Sequence, residues 1–276
     1  VLTRRAAGLA VACAIAAVTS ACGGATTPPA GVDARVTAVA ESPRQSPAAA
    51  SPAPSRAQGI STGRTVVLDP GHNGGNAAHP AEINKRISAG RGLIKQCNTT
   101  GTATADGYPE HAFNWDLAGR VRDLLTARGV RVVMTRQDDT GVGPCVDRRA
   151  AIGNESGAAA VVSLHADGAE TTRAHGFHIA YSAPPLNDAQ GEPSLRLAEA
   201  LRGAMRAAGL VTATYIGSDG LDQRDDLAGL NLSTQPVVLV ECGNMRNPEE
   251  AARMSSPAGR QHYAEAIANG ILAFLG

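Results

Sequence analysis

Thr65-Val-Val-Leu-Asp-Pro-Gly-His-Asn-Gly-Gly75 reads as a buried strand from Thr65 to Leu68, a Pro-Gly turn, and a histidine delivered at the strand's carboxyl end. An open α/β sheet holds its ligands in the crevice outside those ends, so His72 stands where such a sheet does its chemistry. Two later segments repeat the arrangement. The apolar run Ala159 to Leu164 hands over to His165, and Pro236 to Val240 hands over to Glu241. A lone histidine after a strand is ordinarily a turn residue or a satisfied core group. Two histidines and a carboxylate at three strand ends, beside glycine-rich turns, favour a metal-assisted hydrolase.

The surrounding sequence alternates apolar strands with amphipathic helices, which predicts a single three-layer α/β domain with a mostly parallel central sheet and helices on both faces. A helix after Pro109 places Phe113, Leu117, Val121, Leu124 and Leu125 on one face and ends near Arg128-Gly129. Strands are expected at Val130 to Thr135, Ala159 to Leu164, Gly176 to Ser182 and Pro236 to Val240. Further helices are expected at Asp147 to Ser156, at Glu192 to Ala208 with Leu195, Ala198, Leu201 and Met205 inward, from Pro248, and from Pro257 to Leu275 with Tyr263, Ile267 and Ile271 buried. Asn76 to Gly107 is a long polar segment rich in Gly and Thr. Loops of that length in a compact domain are either functional or disordered, and its place between two candidate ligand segments favours a flap over the cleft.

Residues 64–276 suffice for one core, and the chain ahead of them has a different composition. Arg4-Arg5, an apolar stretch from Ala6 to Val18 and small residues up to Ala21 make residues 1–21 a secretory signal. Residues 22–63 form a Pro/Ala/Ser-rich linker, read as a tether or a passive spacer. Export to the periplasm, the cell wall or the exterior is therefore expected. Cys22 directly follows Thr-Ser-Ala, as in a lipoprotein signal, but Thr19 departs from that pattern; cleavage and release is the favoured outcome, and membrane attachment would require lipidation of Cys22. Net charge is zero, and the absence of a basic run argues against a nucleic-acid partner. A monomer is expected. Among the cysteines of the domain, Cys97 and Cys145 lie in loop-like segments and are expected to pair outside the cytoplasm, whereas Cys242 follows a strand end and is expected to be buried. No Cys-x-x-Cys spacing supports a thiolate zinc site.

Catalytic zinc takes three protein ligands and leaves a position for water. His72 and His165 supply two. Glu110, in Tyr108-Pro-Glu-His-Ala-Phe-Asn-Trp-Asp-Leu117, is the third candidate, although a first-turn acid also suits the helix dipole. At this point the residues resemble a family. Asp69-Pro-Gly-His72-Asn-Gly-Gly75, Glu110 with Asn114 and Leu117, Ser163-Leu-His165-Ala-Asp167, and Val240-Glu241-Cys-Gly-Asn244 with Asn247-Pro248 and Glu250 are similar to the catalytic domain of zinc-dependent N-acetylmuramoyl-L-alanine amidases of the type-3 class. Met134-Thr-Arg136 with Asp138, and Arg149 with Asn154, agree. The resemblance covers nearly all of residues 64–276. It implies Zn2+ held by His72, Glu110 and His165, and cleavage of the amide joining the muramic-acid lactyl group to the L-alanine of a peptidoglycan stem. Polymeric peptidoglycan or muropeptide fragments are the implied partners.

Glu241 is the candidate proton-transfer group, since it ends a buried strand and is not needed as a ligand; a structural ion pair is its other reading. His111 should project about 100° from Glu110 on the helix and be exposed. His79 is a candidate substrate contact, while His175, His178 and His262 are expected to be structural or surface groups. Asp69 is read either as the orienting partner of a ligand histidine or as a turn residue, and Arg136 as a core-edge ion pair. Two other functions compete: a zinc peptidase cutting within the stem, and a non-catalytic envelope-binding regulator. Retention of both Glu110 and Glu241 argues against the second.

Overall fold

A computed structural model describes residues 64–276; the signal and linker assigned to residues 1–63 lie outside the described residues. Strand β1 (Thr65–Pro70) is followed by a 3-10 turn (Asn76–Ala78), a one-turn helix α1 (Pro80–Ile83) and a two-stranded hairpin, β2 (Arg86–Ser88) and β3 (Ile94–Gln96). Next come α2 (Glu110–Thr126), β4 (Arg131–Met134), α3 (Val146–Glu155), β5 (Ala160–Asp167) and β6 (His178–Ser182). The chain continues through α4 (Glu192–Ala207), β7 (Leu221–Arg224), α5 (Ala228–Asn231), β8 (Val237–Asn244), α6 (Pro248–Ser255) and α7 (Pro257–Leu275).

Six strands form one sheet in the order β4-β1-β5-β8-β6-β7. All neighbours are parallel except β6 and β8. The apolar runs of β1, β5 and β8 occupy the middle, where both faces are covered, and this is why they read as continuous hydrophobic sequence. Alternate residues Val66, Leu68, Val162, Leu164, Val238 and Val240 face a large core closed by α2, α4 and α7. Phe113, Leu117, Val121 and Leu125 of α2 and Tyr263, Ile267 and Ile271 of α7 are fully buried there. The aliphatic and phenylalanine side chains among them each contribute about 1.5–3 kcal/mol through removal from water.

The opposite face carries a smaller cluster of Val67, Val161, Ala180, Leu230 and Val237 beneath α3 and α5. Gly153 of α3 sits close enough to Val161 that an added methyl would press on it. The chain is thus a three-layer α/β domain with one thick and one thin helical layer. The thin layer leaves the carboxyl ends of the central strands open.

Two details differ from the sequence reading. In α4 Leu197 is buried beside the expected Leu201, whereas Leu195 is only partly buried. The helix is rotated because Ser194 faces inward, donating to Ala189 O and accepting from Val237 N. Residues 76–107 form no loose flap. They fold into the one-turn helix and the hairpin, fastened by a Cys97–Cys145 disulfide and by Val146 N donating to Cys97 O at 2.9 Å. Cys242 is free and buried, as expected.

Candidate active site

His72, Glu110 and His165 converge, with candidate ligand atoms all within 4.8 Å of one another. They come from three elements. His72 follows β1, Glu110 opens α2, and His165 lies in β5. Glu110 is buried, and each of its oxygens faces one imidazole: Oε2 lies 3.1 Å from His72 Nε2, and Oε1 lies 3.0 Å from His165 Nδ1. The carboxylate is held from behind. Thr102 N donates to Oε2, while Ala166 N and Asn114 Nδ2 donate to Oε1.

His72 adopts φ of +60°, a left-handed conformation that costs a side-chain-bearing residue about 1–2 kcal/mol. The surroundings over-determine it. Arg149 Nη2 donates to its carbonyl at 2.8 Å, and its Nδ1 donates to Thr99 O at 3.0 Å. A proton on Nδ1 leaves Nε2 with a lone pair aimed at a carboxylate oxygen. Two acceptors 3.1 Å apart repel unless a proton or a cation lies between them. Burial alone would lower the pKa of His72, but Glu110 more than reverses this and raises it. Burial likewise disfavours ionised Glu110, and the two imidazoles overcome it and hold the carboxyl well below its ordinary value. The donor set and its outer hydrogen bonds fit a divalent cation. Gly71 belongs to the same design, because a Cβ there would overlap the His165 ring.

Glu241 is the register partner of His165 across β5 and β8, and His178 is the partner of Glu241 across β8 and β6. Register partners project from the same face of a sheet, so the three side chains make a row over adjacent strands. Glu241 Oε2 is buried with no hydrogen-bond partner among the described residues. Burial first, then the neighbouring carboxylates Glu110 and Asp167, pushes the Glu241 pKa well above its ordinary value. The row and the metal-type cluster line a cleft of about 770 Å³ that runs over the thinly covered sheet face to Leu227, Leu230 and Arg86.

Other residues singled out from the sequence fall differently. His111 is not exposed: it is half-buried, with Nδ1 2.7 Å from Asp139 Oδ2. His79 is exposed, bonded to Gly75 O, and does not line the cleft. His178 is buried in the cleft wall, with Nε2 4.0 Å from Asp222 Oδ2, and burial lowers its pKa. Its position beside Glu241 was hidden because β6 runs antiparallel to β8, a pairing that periodicity does not reveal. Asp69 orients neither histidine directly. It accepts from Thr135 Oγ1, Ser163 Oγ and Arg149 Nη1, and reaches His72 only through that arginine. Arg136 forms the expected ion pair, with Asp139 Oδ1 at 2.9 Å, and also donates to the carbonyls of Pro70, Asp138 and His111. Thr99, Thr102 and Arg149 escaped the sequence reading as site-building residues, since two act through backbone atoms and the third through a distant contact.

Known proteins resemble this chain in sequence and fold. The sequence profile of the family described as N-acetylmuramoyl-L-alanine amidase matches residues 66–273. The chain is 49% identical over 213 residues to the N-acetylmuramoyl-L-alanine amidase Rv3717 of Mycobacterium tuberculosis, covering 77% of this chain and 87% of that protein. The crystal structure of the N-acetylmuramyl-L-alanine amidase Ami1 from Mycobacterium smegmatis superimposes with a TM-score of 0.76 at 54% identity, over 78% of this chain and 98% of that one. The apo form of Ami1 from Mycobacterium abscessus gives the same score and identity, over 78% of this chain and 100% of that one. A profile spanning the whole of the sheet and its helices, together with relatives alike over most of their own length, places this chain in the N-acetylmuramoyl-L-alanine amidase family.

Proposed function

We propose that the chain is a zinc-dependent hydrolase that cleaves the amide between the lactyl group of N-acetylmuramic acid and the L-alanine of a peptidoglycan stem. The observation that carries this reading is the meeting of His72, Glu110 and His165 with Glu241 one strand away, whose buried Oε2 has no hydrogen-bond partner among the described residues. His72, Glu110 and His165 would hold the metal. Two imidazoles and one carboxylate form a familiar catalytic zinc set. Zinc bound there supplies Lewis acidity, polarising an amide carbonyl and acidifying water to a pKa of about 7.

The remaining work falls to the chain's own groups. Glu241 accepts the proton of the attacking water on its carboxylate and returns it to the departing nitrogen. Burial makes that carboxylate a stronger base than usual, which suits a group that must hold a proton between two steps. A cation at the cluster would offset the contribution of Glu110 to this shift and leave the effect of burial. Thr99 fixes the tautomer of His72, while Thr102, Ala166 and Asn114 keep Glu110 from turning away.

The protein is proposed to act outside the cytoplasm, on polymeric wall or released muropeptides. The signal-like residues 1–21 and the disulfide support this. No helix of the described residues is long and apolar enough to cross a membrane. Mass spectrometry of digested muropeptides tests the bond assignment. Intact stem peptides with a free L-alanine amine are expected, and products cut within the stem would show a peptidase instead.

A further inference from the structure

Four cations line the cleft: Arg86, Lys95, Arg149 and Arg224. Three are matched by carboxylates of the protein. Lys95 pairs with Asp226 at 2.9 Å, Arg149 with Asp69 at 2.9 Å, and Arg224 with Asp222 and Asp226 at 3.4 and 2.8 Å. Arg86 is different. Its one hydrogen bond is from Nη2 to Ile94 O across the hairpin, at 2.8 Å, and it makes no ion pair among the described residues. Arg86 is exposed and lines the cleft.

The element that carries Arg86 is fastened on every side. Arg91, at the hairpin turn, donates to Asn231 Oδ1, Ser182 Oγ and Pro184 O, and Asn231 Nδ2 donates back to Ala89 O. Lys95 ties β3 to the segment after β7 through Asp226. The disulfide holds the chain just past β3 to the start of α3. Arg86 is therefore carried on a fixed support at the cleft, with one guanidinium donor used on Ile94 O and no carboxylate of the described residues to match its charge. A guanidinium's planar donor fork matches a carboxylate in shape as well as in charge.

We infer that Arg86 is a specificity-determining residue that binds a carboxylate of the leaving stem peptide. This rests on the amidase reading above. The first L-alanine of a stem is followed by residues that carry free carboxyl groups, so the ligand chemistry is that of the substrate itself. The α-carboxylate of the second stem residue and a carboxylate further along are its two possible sources. Arg86 touches no member of the metal-type cluster, and its contribution is to binding.

Paired synthetic muramoyl stems test this with the zinc-loaded enzyme. One pair of muramoyl dipeptides differs only in a carboxylate or a carboxamide on the second residue; a pair of tripeptides differs only at the third. Wild type is expected to favour the carboxylate member of one pair, and that pair identifies the source. For that member Arg86→Gln should raise KM about tenfold with kcat little changed, as for loss of a charge-assisted contact. The carboxamide member should move far less, so the preference collapses. Arg86→Lys should restore part of it. A structural role in the hairpin would instead slow both members of a pair alike, and that result, or no change in either, would overturn the inference. The amidase reading fails separately, if wild type releases no free L-alanine amine from any of the four stems.

Discussion

Glu110 and Glu241 are two carboxylates at one cleft whose surroundings push them in opposite directions. Glu110 receives three N–H donors and two imidazoles, and stays ionised despite burial. Glu241 has a buried oxygen without a partner among the described residues, and its acidity is weakened by burial and by Glu110 and Asp167. Such a divergence is what the proposed roles of metal ligand for Glu110 and proton carrier for Glu241 require of one residue type. The roles therefore separate under substitution. Glu241→Gln should lower kcat by at least ~100-fold while zinc content and melting temperature stay near wild type. Glu110→Gln should release zinc, because a neutral amide is the poorer ligand, and His72→Ala and His165→Ala should do the same. Metal analysis of purified variants beside turnover decides it: if Glu241→Gln loses the metal and Glu110→Gln retains it, the two roles are exchanged.

At the level of elements, the segments that could be read from sequence were those with a strong apolar period. The strands leading to His72, His165 and Glu241 are buried on both faces, and α2 and α7 carry clear stripes. Those segments mark all four proposed site residues by the apolar runs or helix start beside them, although β5 and β8 continue past His165 and Glu241 to Asp167 and Asn244. The hairpin was illegible for a physical reason. Strands β2 and β3 are three residues each and mostly exposed, so burial imposes no pattern on their sequence. Strand β7, Leu-Asp-Gln-Arg, is an edge strand with one apolar residue and was missed for the same reason. What holds the hairpin in place is chemistry between distant residues, including the disulfide, whose partners are 48 residues apart. Replacing Cys97 and Cys145 together by alanine should lower stability by about 2–4 kcal/mol in denaturant unfolding. An unfolding midpoint unchanged by the double substitution would mean that the polar contacts of the hairpin suffice without it.

Over the whole molecule, the sheet divides the work between its faces. The thick face of α2, α4 and α7 supplies the main core, and the thin face leaves room for a cleft along the strand ends. Joining these at the crevice is Asp69, which lies under the cleft floor and links four elements. It accepts from Thr135 beyond β4, Ser163 in β5 and Arg149 in α3, while itself belonging to β1. Arg149 is buried and in turn donates to Pro70 O and His72 O, so one ion pair positions both the sheet and the first histidine. Burial opposes the charge on Asp69, but Arg149 and the hydroxyl donors prevail and lower its pKa below the ordinary 3.8. The sign of the linkage follows. A depressed folded pKa gives stability that is fully present above the unfolded value and is lost as pH falls through the folded one. Asp69→Asn leaves Arg149 buried without its counter-charge and should cost about 3–5 kcal/mol near neutral pH. Thermal melts of wild type and variant across pH should therefore show a wide gap in melting temperature at neutral and mildly acidic pH, narrowing only below about pH 4. A gap that stayed constant down to pH 2 would assign the loss to shape and hydrogen bonding at Asp69 rather than to its charge.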